Sequence, residues 1–192
     1  MTMKNKTSIH PLITKRRSIV SFTKHRLSNE DLLLLFEAAK WAPSSYNIQP
    51  WRFLYAHNED SDEFRKFYGL LDPANQEWAG NASVLALSVA ETISRYKGRP
   101  NRFAFHDLGM AVGNMLIQAT SMGLYVHQMG GYDVEKAREI FHIPEDFEPA
   151  AMIAIGYRGE IDNLPVNLRR KELAVRKRNE LENFVFKADW GK

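Results

Sequence analysis

The chain has 192 residues, 44% hydrophobic and 26% charged, with a formal net charge of +3 and no cysteine. That length suits one globular domain, with a second subdomain possible. The absence of cysteine excludes disulfides, thiolate catalysis and cysteine-ligated metals, and so small an excess of positive charge gives no bulk electrostatic reason to expect nucleic acid.

The N-terminus, Met1 to Lys6, is polar and lacks the apolar run of a targeting segment. Ile9, Leu12 and Ile13 recur at helical spacing before Arg16, with Pro11 suited to a first turn. Ser28-Asn29-Glu30-Asp31 reads as a helix start, with Ser28 as N-cap and acids facing the positive end of the dipole. Leu32, Leu35, Phe36 and Ala39 form the apolar stripe of that helix, and Pro43 stops it. Trp51 to Ala56 predicts a short strand with Trp51, Phe53 and Tyr55 on one face. Ser61 is expected to cap a helix carrying Phe64, Phe67, Leu70 and Leu71.

Val84 to Val89 has the character of a buried strand. The surrounding apolar run, Ala82 to Ala90, contains Ser83 and Ser88 and is too short to span a bilayer. Asp107 to Met122 predicts a helix that is apolar nearly all round, of the kind found at the centre of a fold or in an interface, with Gly123 as its C′ residue. Leu124 to Met129 predicts a strand ending in Gly130-Gly131. Asp133 caps a helix to about Phe141, and Ala150 to Tyr157 predicts another buried strand. From about Arg158 the composition turns charged, through Arg169-Arg170-Lys171 and Arg176-Lys177-Arg178, before an apolar tail at Phe184-Val185-Phe186 and Trp190. A tail of this kind suggests an arm docked on something, such as the other subunit of a dimer. Strands and helices alternate only loosely. The expected fold class is therefore α+β, or mixed α/β, with a central sheet of four or five strands flanked by helices.

Several short segments could carry chemistry. Arg16-Arg17-Ser18 offers two guanidiniums and a hydroxyl, and the planar guanidinium fork suits phosphate. Taken alone, the same triplet is a basic helix end complementing the dipole. The segment Ala42-Pro43-Ser44-Ser45-Tyr46-Asn47-Ile48-Gln49-Pro50-Trp51 contains ordinary turn formers, yet it feeds straight into a strand. Asn75 is either a loop or cap residue or an amide for a ligand edge. Gly130-Gly131 is a tight strand–helix turn that also permits close backbone approach to a flat ligand. Arg176-Lys177-Arg178 reads locally as a solvated basic face or a weak nucleic-acid patch. The six histidines show no metal spacing. His106-Asp107 lacks a nucleophile elbow and reads as structural, and there is neither a Walker A loop nor a Gly-x-Gly-x-x-Gly.

Together, Arg16-Arg17-Ser18 and the turn from Pro43 to Trp51 resemble the N-terminal signature of the FMN-dependent nitroreductase family. The resemblance extends over residues 16–22, 42–56, 75–90, 105–131 and 176–191. It implies an α+β homodimer with two active sites at the subunit interface, each holding one FMN built from both chains, and a C-terminal arm from about residue 158 exchanged between subunits. It implies a phosphate site of Arg16, Arg17 and Ser18 completed by Arg176 and Arg178. Pro43, Ser44, Ser45 and Asn47 would touch the flavin from the partner subunit. Asn75 would meet the polar ring edge, and a backbone N–H at Gly130 or Gly131 would donate to N5. One position departs from the pattern: where the family often has a basic residue two places after the serine, this sequence has Val20.

The expected activity is ping-pong hydride transfer from NADH or NADPH through FMN to a nitroaromatic, quinone or similar small acceptor. No catalytic acid or base, metal, nucleic acid or membrane is required, and the expected location is cytoplasmic. The rival readings are a flavin-binding or stress-related module without turnover and a nucleic-acid binder using Arg169 to Arg178. That last stretch lacks interleaved aromatics.

Overall fold

The computed structural model describes residues 8–94 and 98–191. The polar stretch Met1 to Lys6, on which the targeting expectation rests, lies outside them. The short helix α1 (Pro11–Lys15) starts on its proline, and the following chain forms β1 (Phe22–Thr23). α2 (Asn29–Lys40) is capped by Ser28, whose hydroxyl accepts from the Asp31 N–H at 3.0 Å, with Glu30 and Asp31 in the first turn. Its Phe36 ring packs against Phe53 and Tyr55 of β2 (Trp51–His57), at 5.3 and 5.5 Å between centroids. The alternation read in that strand therefore turns toward α2.

Two helices follow, α3 (Ser61–Tyr68) and α4 (Pro73–Ala79). Ser61 is not the cap of α3: Asp60 occupies that position without a side-chain bond, and Leu70 and Leu71 lie beyond the helix end. β3 (Val84–Glu91) leads to a small hairpin, β4 (Ile93–Ser94) and β5 (Arg99–Pro100). The long helix α5 (Ala104–Ser121) starts three residues earlier than its polar Asp107 suggests, and Gly123 follows it at φ +73°. β6 (Tyr125–Met129), α6 (Val134–Ile140), β7 (Phe147–Arg158) and α7 (Val166–Leu173) complete the described elements. Asp133 caps α6 by accepting from the Lys136 N–H at 2.9 Å.

The sheet has five antiparallel strands. β3 pairs with β2 on one side and β7 on the other. The second edge of β7 is shared by β6, along Met152 to Gly156, and by β1, at Tyr157 and Arg158. The register of β3 on β7 shifts between Ser88 and Val89, where Pro149, which has no N–H for the ladder, stands opposite Val89.

β3 reads as nearly continuous apolar sequence because both faces of the sheet are covered. Leu85, Leu87 and Val89 join Phe64, Phe67 and Trp78 under α3 and α4. Val84, Ala86 and Ala90 join Leu32, Leu35 and Met115 under α2 and α5. Among the described residues no helix is long and apolar enough to cross a membrane.

Among the described residues, the apolar residues at the end of the C-terminal arm do not dock on the body of their own chain. Leu181, Phe184 and Val185 are exposed, Trp190 is 92% exposed, and the Phe186 and Trp190 rings pack on each other at 5.3 Å.

Candidate functional site

The residues around Arg16 gather from four distant parts of the chain. α1 ends at Arg16, whose Nη1 lies 3.3 Å from the Ser18 hydroxyl and donates to it. Arg176, far along the arm, donates to the Arg16 carbonyl and, at 2.5 Å, to that of Thr14. Partial burial lowers the pKa of Arg16 from its ordinary value, and the charges of Arg176 and then Arg178 lower it further. Among the described residues none of these three guanidiniums forms an ion pair. Arg16 on the Ser18 hydroxyl, with the charges of Arg176 and Arg178 acting on it and none of the three in an ion pair among the described residues, forms a donor set that fits a phosphate dianion.

Arg17 is directed elsewhere. Its Nη2 donates to the carbonyl of Glu172 and, at 2.9 Å, to that of Ala174, so it fastens the start of the arm to the triplet. Val20 occupies the position where the family pattern often has a base. Its side chain is buried and its N–H donates to Glu172 Oε2 at 2.7 Å. The other oxygen of Glu172 takes Arg158 Nη2 at 2.7 Å. This fully buried carboxylate was missed in the sequence, where it sits inside a basic run and looks like one more surface charge.

His127 on β6 links the triplet to the next group. Its Nδ1–H donates to the Ile19 carbonyl at 2.6 Å, and its ring stacks on Trp78 at 4.5 Å. Burial lowers its pKa. The bond to Ile19 and the Glu172 charge work against that shift, and the nearby Lys171 and Arg16 charges reinforce it. Lys171 Nζ lies 5.9 Å from the Trp78 ring centre, so Lys171 belongs to this basic corner and not to a remote solvated face.

Trp78 lies in the last turn of the same helix that carries Asn75. Asn75 is therefore inside α4, not in a loop, and its Nδ2 donates to the Gly131 carbonyl at 3.0 Å. The Asp72 N–H reaches that carbonyl too, at 3.1 Å. A Cβ on Gly131 would lie 2.5 Å from Asp72 Oδ2 and 3.0 Å from Asn75 Nδ2, whereas one on Gly130 would meet nothing within 4 Å. Gly131→Ala is expected to push the Asn75 amide off its carbonyl and cost about 1 kcal/mol, the usual net worth of such a bond. Gly130→Ala should leave stability unchanged. Paired urea melts check this contrast, and equal midpoints for both variants would contradict it.

The turn from Pro43 to Gln49 belongs to a second group. Tyr46, Asn47 and Gln49 have φ of 51°, 55° and 54°, left-handed values that cost non-glycine residues energy and persist only where neighbours hold them. Buried Asp107 of α5 accepts from the Ser45 N–H at 2.9 Å, and the Ser44 hydroxyl accepts from the Gln49 N–H at 3.0 Å. His106-Asp107 thus has a structural task, as its sequence suggested, but one directed at the candidate turn. Tyr46 is 97% exposed at the tip. The described contacts of this turn run to α5 and to a cleft bordered by Arg99 to Phe103, while those of the triplet run to α7, the arm and β6.

Known proteins resemble the chain in both sequence and fold. The sequence model of the Nitroreductase family matches residues 13–157. Protein DrgA of Synechocystis sp. is 32% identical over 179 residues, covering 77% of this chain and 83% of that protein. A relative from Archaeoglobus fulgidus, provisionally named as an NADH dehydrogenase/NAD(P)H nitroreductase, is 29% identical over 156 residues, covering 76% and 83%. The solved structure of an oxidoreductase containing FMN superposes with a TM-score of 0.90 at 35% identity, covering 97% of this chain and 95% of that one. A nitroreductase family protein of Clostridium difficile 630 shares the fold at a TM-score of 0.71 and 21% identity, covering 93% and 96%.

Proposed function

The chain belongs to the nitroreductase family, and from that premise we propose that it is an FMN-dependent NAD(P)H oxidoreductase. The observation that carries the reading is the basic group of Arg16, which bonds the Ser18 hydroxyl, with Arg176 and Arg178, none of them in an ion pair among the described residues. Bound there, FMN would supply two-electron chemistry, accepting hydride from NADH or NADPH and passing it in ping-pong order to a nitroaromatic, quinone or similar small acceptor. Arg16, Ser18, Arg176 and Arg178 would hold its phosphate, with Arg17 setting the arm that brings Arg176 into place. Asn75 would present its amide to the polar ring edge, and the open backbone at Gly130 would let a flat ring approach an N–H donor at Gly130 or Gly131. No side chain has to move a proton. The two buried carboxylates nearest these segments, Asp107 and Glu172, are committed to backbone and arginine partners.

The reading includes a homodimer in which Pro43, Ser44, Ser45 and Asn47 complete the site of a second copy. Two features support it. Leu33, Leu34 and Trp41 are exposed on and just after α2, and the apolar end of the arm is left uncovered by the described residues of its own chain. An interface of the obligate class buries more than about 2,000 Å². Light scattering of flavin-loaded protein at micromolar concentration should therefore report twice the 22.1 kDa of one chain. A folded, flavin-loaded monomer would contradict the dimer. The reading also includes a cytoplasmic location, where reduced nicotinamide would be supplied and with which a cysteine-free sequence is compatible.

The activity is tested by steady-state oxidation of NADH and NADPH with menadione and with a nitroaromatic. Turnover with either donor supports the enzyme. Bound flavin without turnover would return the protein to a non-enzymatic flavin-binding module.

A further inference from the structure

A cleft of about 220 Å³ opens beside the strained turn, between Ser45 to Ile48 on one wall and Arg99 to Phe103 on the other. Its lining holds two arginines, Arg99 and Arg102, and no acid. Among the described residues neither arginine has an ion-pair partner. Two aromatic rings border the same space: Tyr46, almost wholly exposed, and Phe103, 41% exposed. The Arg102 guanidinium lies over the Phe103 ring at 5.0 Å, which limits its freedom.

The arginine wall is pinned. The Asn101 N–H donates to the Thr92 carbonyl at 2.7 Å, and the Asn101 side-chain oxygen accepts from the Phe103 N–H at 3.2 Å. The opposite wall is held by Asp107 through Ser45. Two cations and two rings are thus presented on anchored backbone.

We propose that this cleft selects electron acceptors that carry an anionic group on an aromatic ring, such as a nitrobenzoate, with Arg99 and Arg102 holding the anion and Tyr46 and Phe103 flanking the ring. A carboxylate matches the guanidinium fork, and an unpaired cation in an acid-free cleft gains by its arrival. The inference rests on the proposed oxidoreductase reading, because it takes the Ser45–Asn47 turn as a wall of the flavin site. It concerns binding alone and adds no chemical step.

The test titrates the FMN-loaded protein, without any reductant, with 4-nitrobenzoate and with nitrobenzene, following heat in a calorimeter. 4-Nitrobenzoate should bind roughly tenfold more tightly than nitrobenzene, the scale of one good charge-assisted contact. The wild-type preference should shrink as salt is raised from low to about 0.5 M, because partly exposed charges are screened. Arg99→Ala and Arg102→Ala should each weaken 4-nitrobenzoate several-fold and leave nitrobenzene unchanged. Equal affinity for the two ligands in the wild type, or a salt-independent preference, would overturn the proposal without any variant having to fold. Arginine variants that lose affinity for NADPH and not for 4-nitrobenzoate would overturn it in favour of a donor-phosphate site. If the protein takes up no FMN, the oxidoreductase reading fails first, and its failure is distinguished from this one by the flavin spectrum.

Discussion

Replacing Arg16 by alanine is expected to weaken FMN binding roughly ten- to a hundredfold while the fold survives. A hydrogen bond to a charged group contributes about 1.5–3 kcal/mol, and each 1.4 kcal/mol is about tenfold in affinity. The fold should tolerate the change because Arg16 is only half-buried and its side chain donates to nothing but the Ser18 hydroxyl among the described contacts. Arg176 bonds the Arg16 carbonyl, not its side chain, so the arm stays in place in the variant. Arg178→Ala should cost about an order of magnitude by the same logic, since its charge reaches Arg16. The support for Arg178 is not a docked tail, because the residues from Phe184 to Val185 are exposed. It is the anchoring of the preceding segment through Arg17 and Arg176. Lys171, a natural control on sequence grounds, is unsuitable because it lies over Trp78. Lys66, paired with Glu63 on the exposed face of α3, is the better one. Fluorescence titration of apo-protein with FMN measures all three. If Arg16→Ala and Arg178→Ala bind like Lys66→Ala, the phosphate is held elsewhere.

The largest stability effect should come from Glu172→Ala. This carboxylate is fully buried, accepts the Val20 N–H and pairs with Arg158, whose side chain is 36% exposed. Removing it strands a buried backbone donor and leaves Arg158 without its partner. Deleting one member of a wholly buried pair costs about 3–5 kcal/mol, and an unsatisfied buried donor alone about 1–3 kcal/mol. Because Arg158 can turn toward water, about 2–4 kcal/mol is expected, or roughly 5–15 °C in Tm for a chain of this size. Glu172→Gln, which keeps an acceptor for Val20, should lose less. FMN affinity should fall in the alanine variant as well: the Arg17 bond to the backbone carbonyl at position 172 is kept, but the carboxylate that ties α7 to Val20, just after the triplet, is lost. Melting within about 1 °C of wild type would show that Glu172 does not brace the site.

The parts of the fold that were legible in the sequence are those specified by local chemistry. Ser28 and Asp133 announced their helices because a side-chain oxygen three residues before a free N–H is a local arrangement. β3 was legible because burial on both faces writes itself as a continuous apolar run. α4 was not. Its seven residues carry one large apolar side chain, Trp78, too few for a periodic stripe, and its N-cap Asp72 makes no side-chain bond, so Asn75 read as a loop residue. The charged α7 was missed for a similar reason: it buries only Leu168 and Glu172.

Within the candidate site, residue types were readable and their partners were not. Glu172 meets Val20 across 152 positions and Asp107 meets Ser45 across 62, and separations of that kind leave no periodicity to find. The same distance hid the explanation of Val20. As one position in a motif it is a missing base, and in the fold it is the buried residue whose N–H binds Glu172.

The central claim, that this chain is built to hold FMN, is tested most directly by the cofactor itself. The purified protein, reconstituted if necessary, should show a flavin absorption spectrum. Heat should then release a flavin that co-elutes with FMN on chromatography. Release of FAD, or no retained flavin even after incubation with excess FMN, would contradict the account.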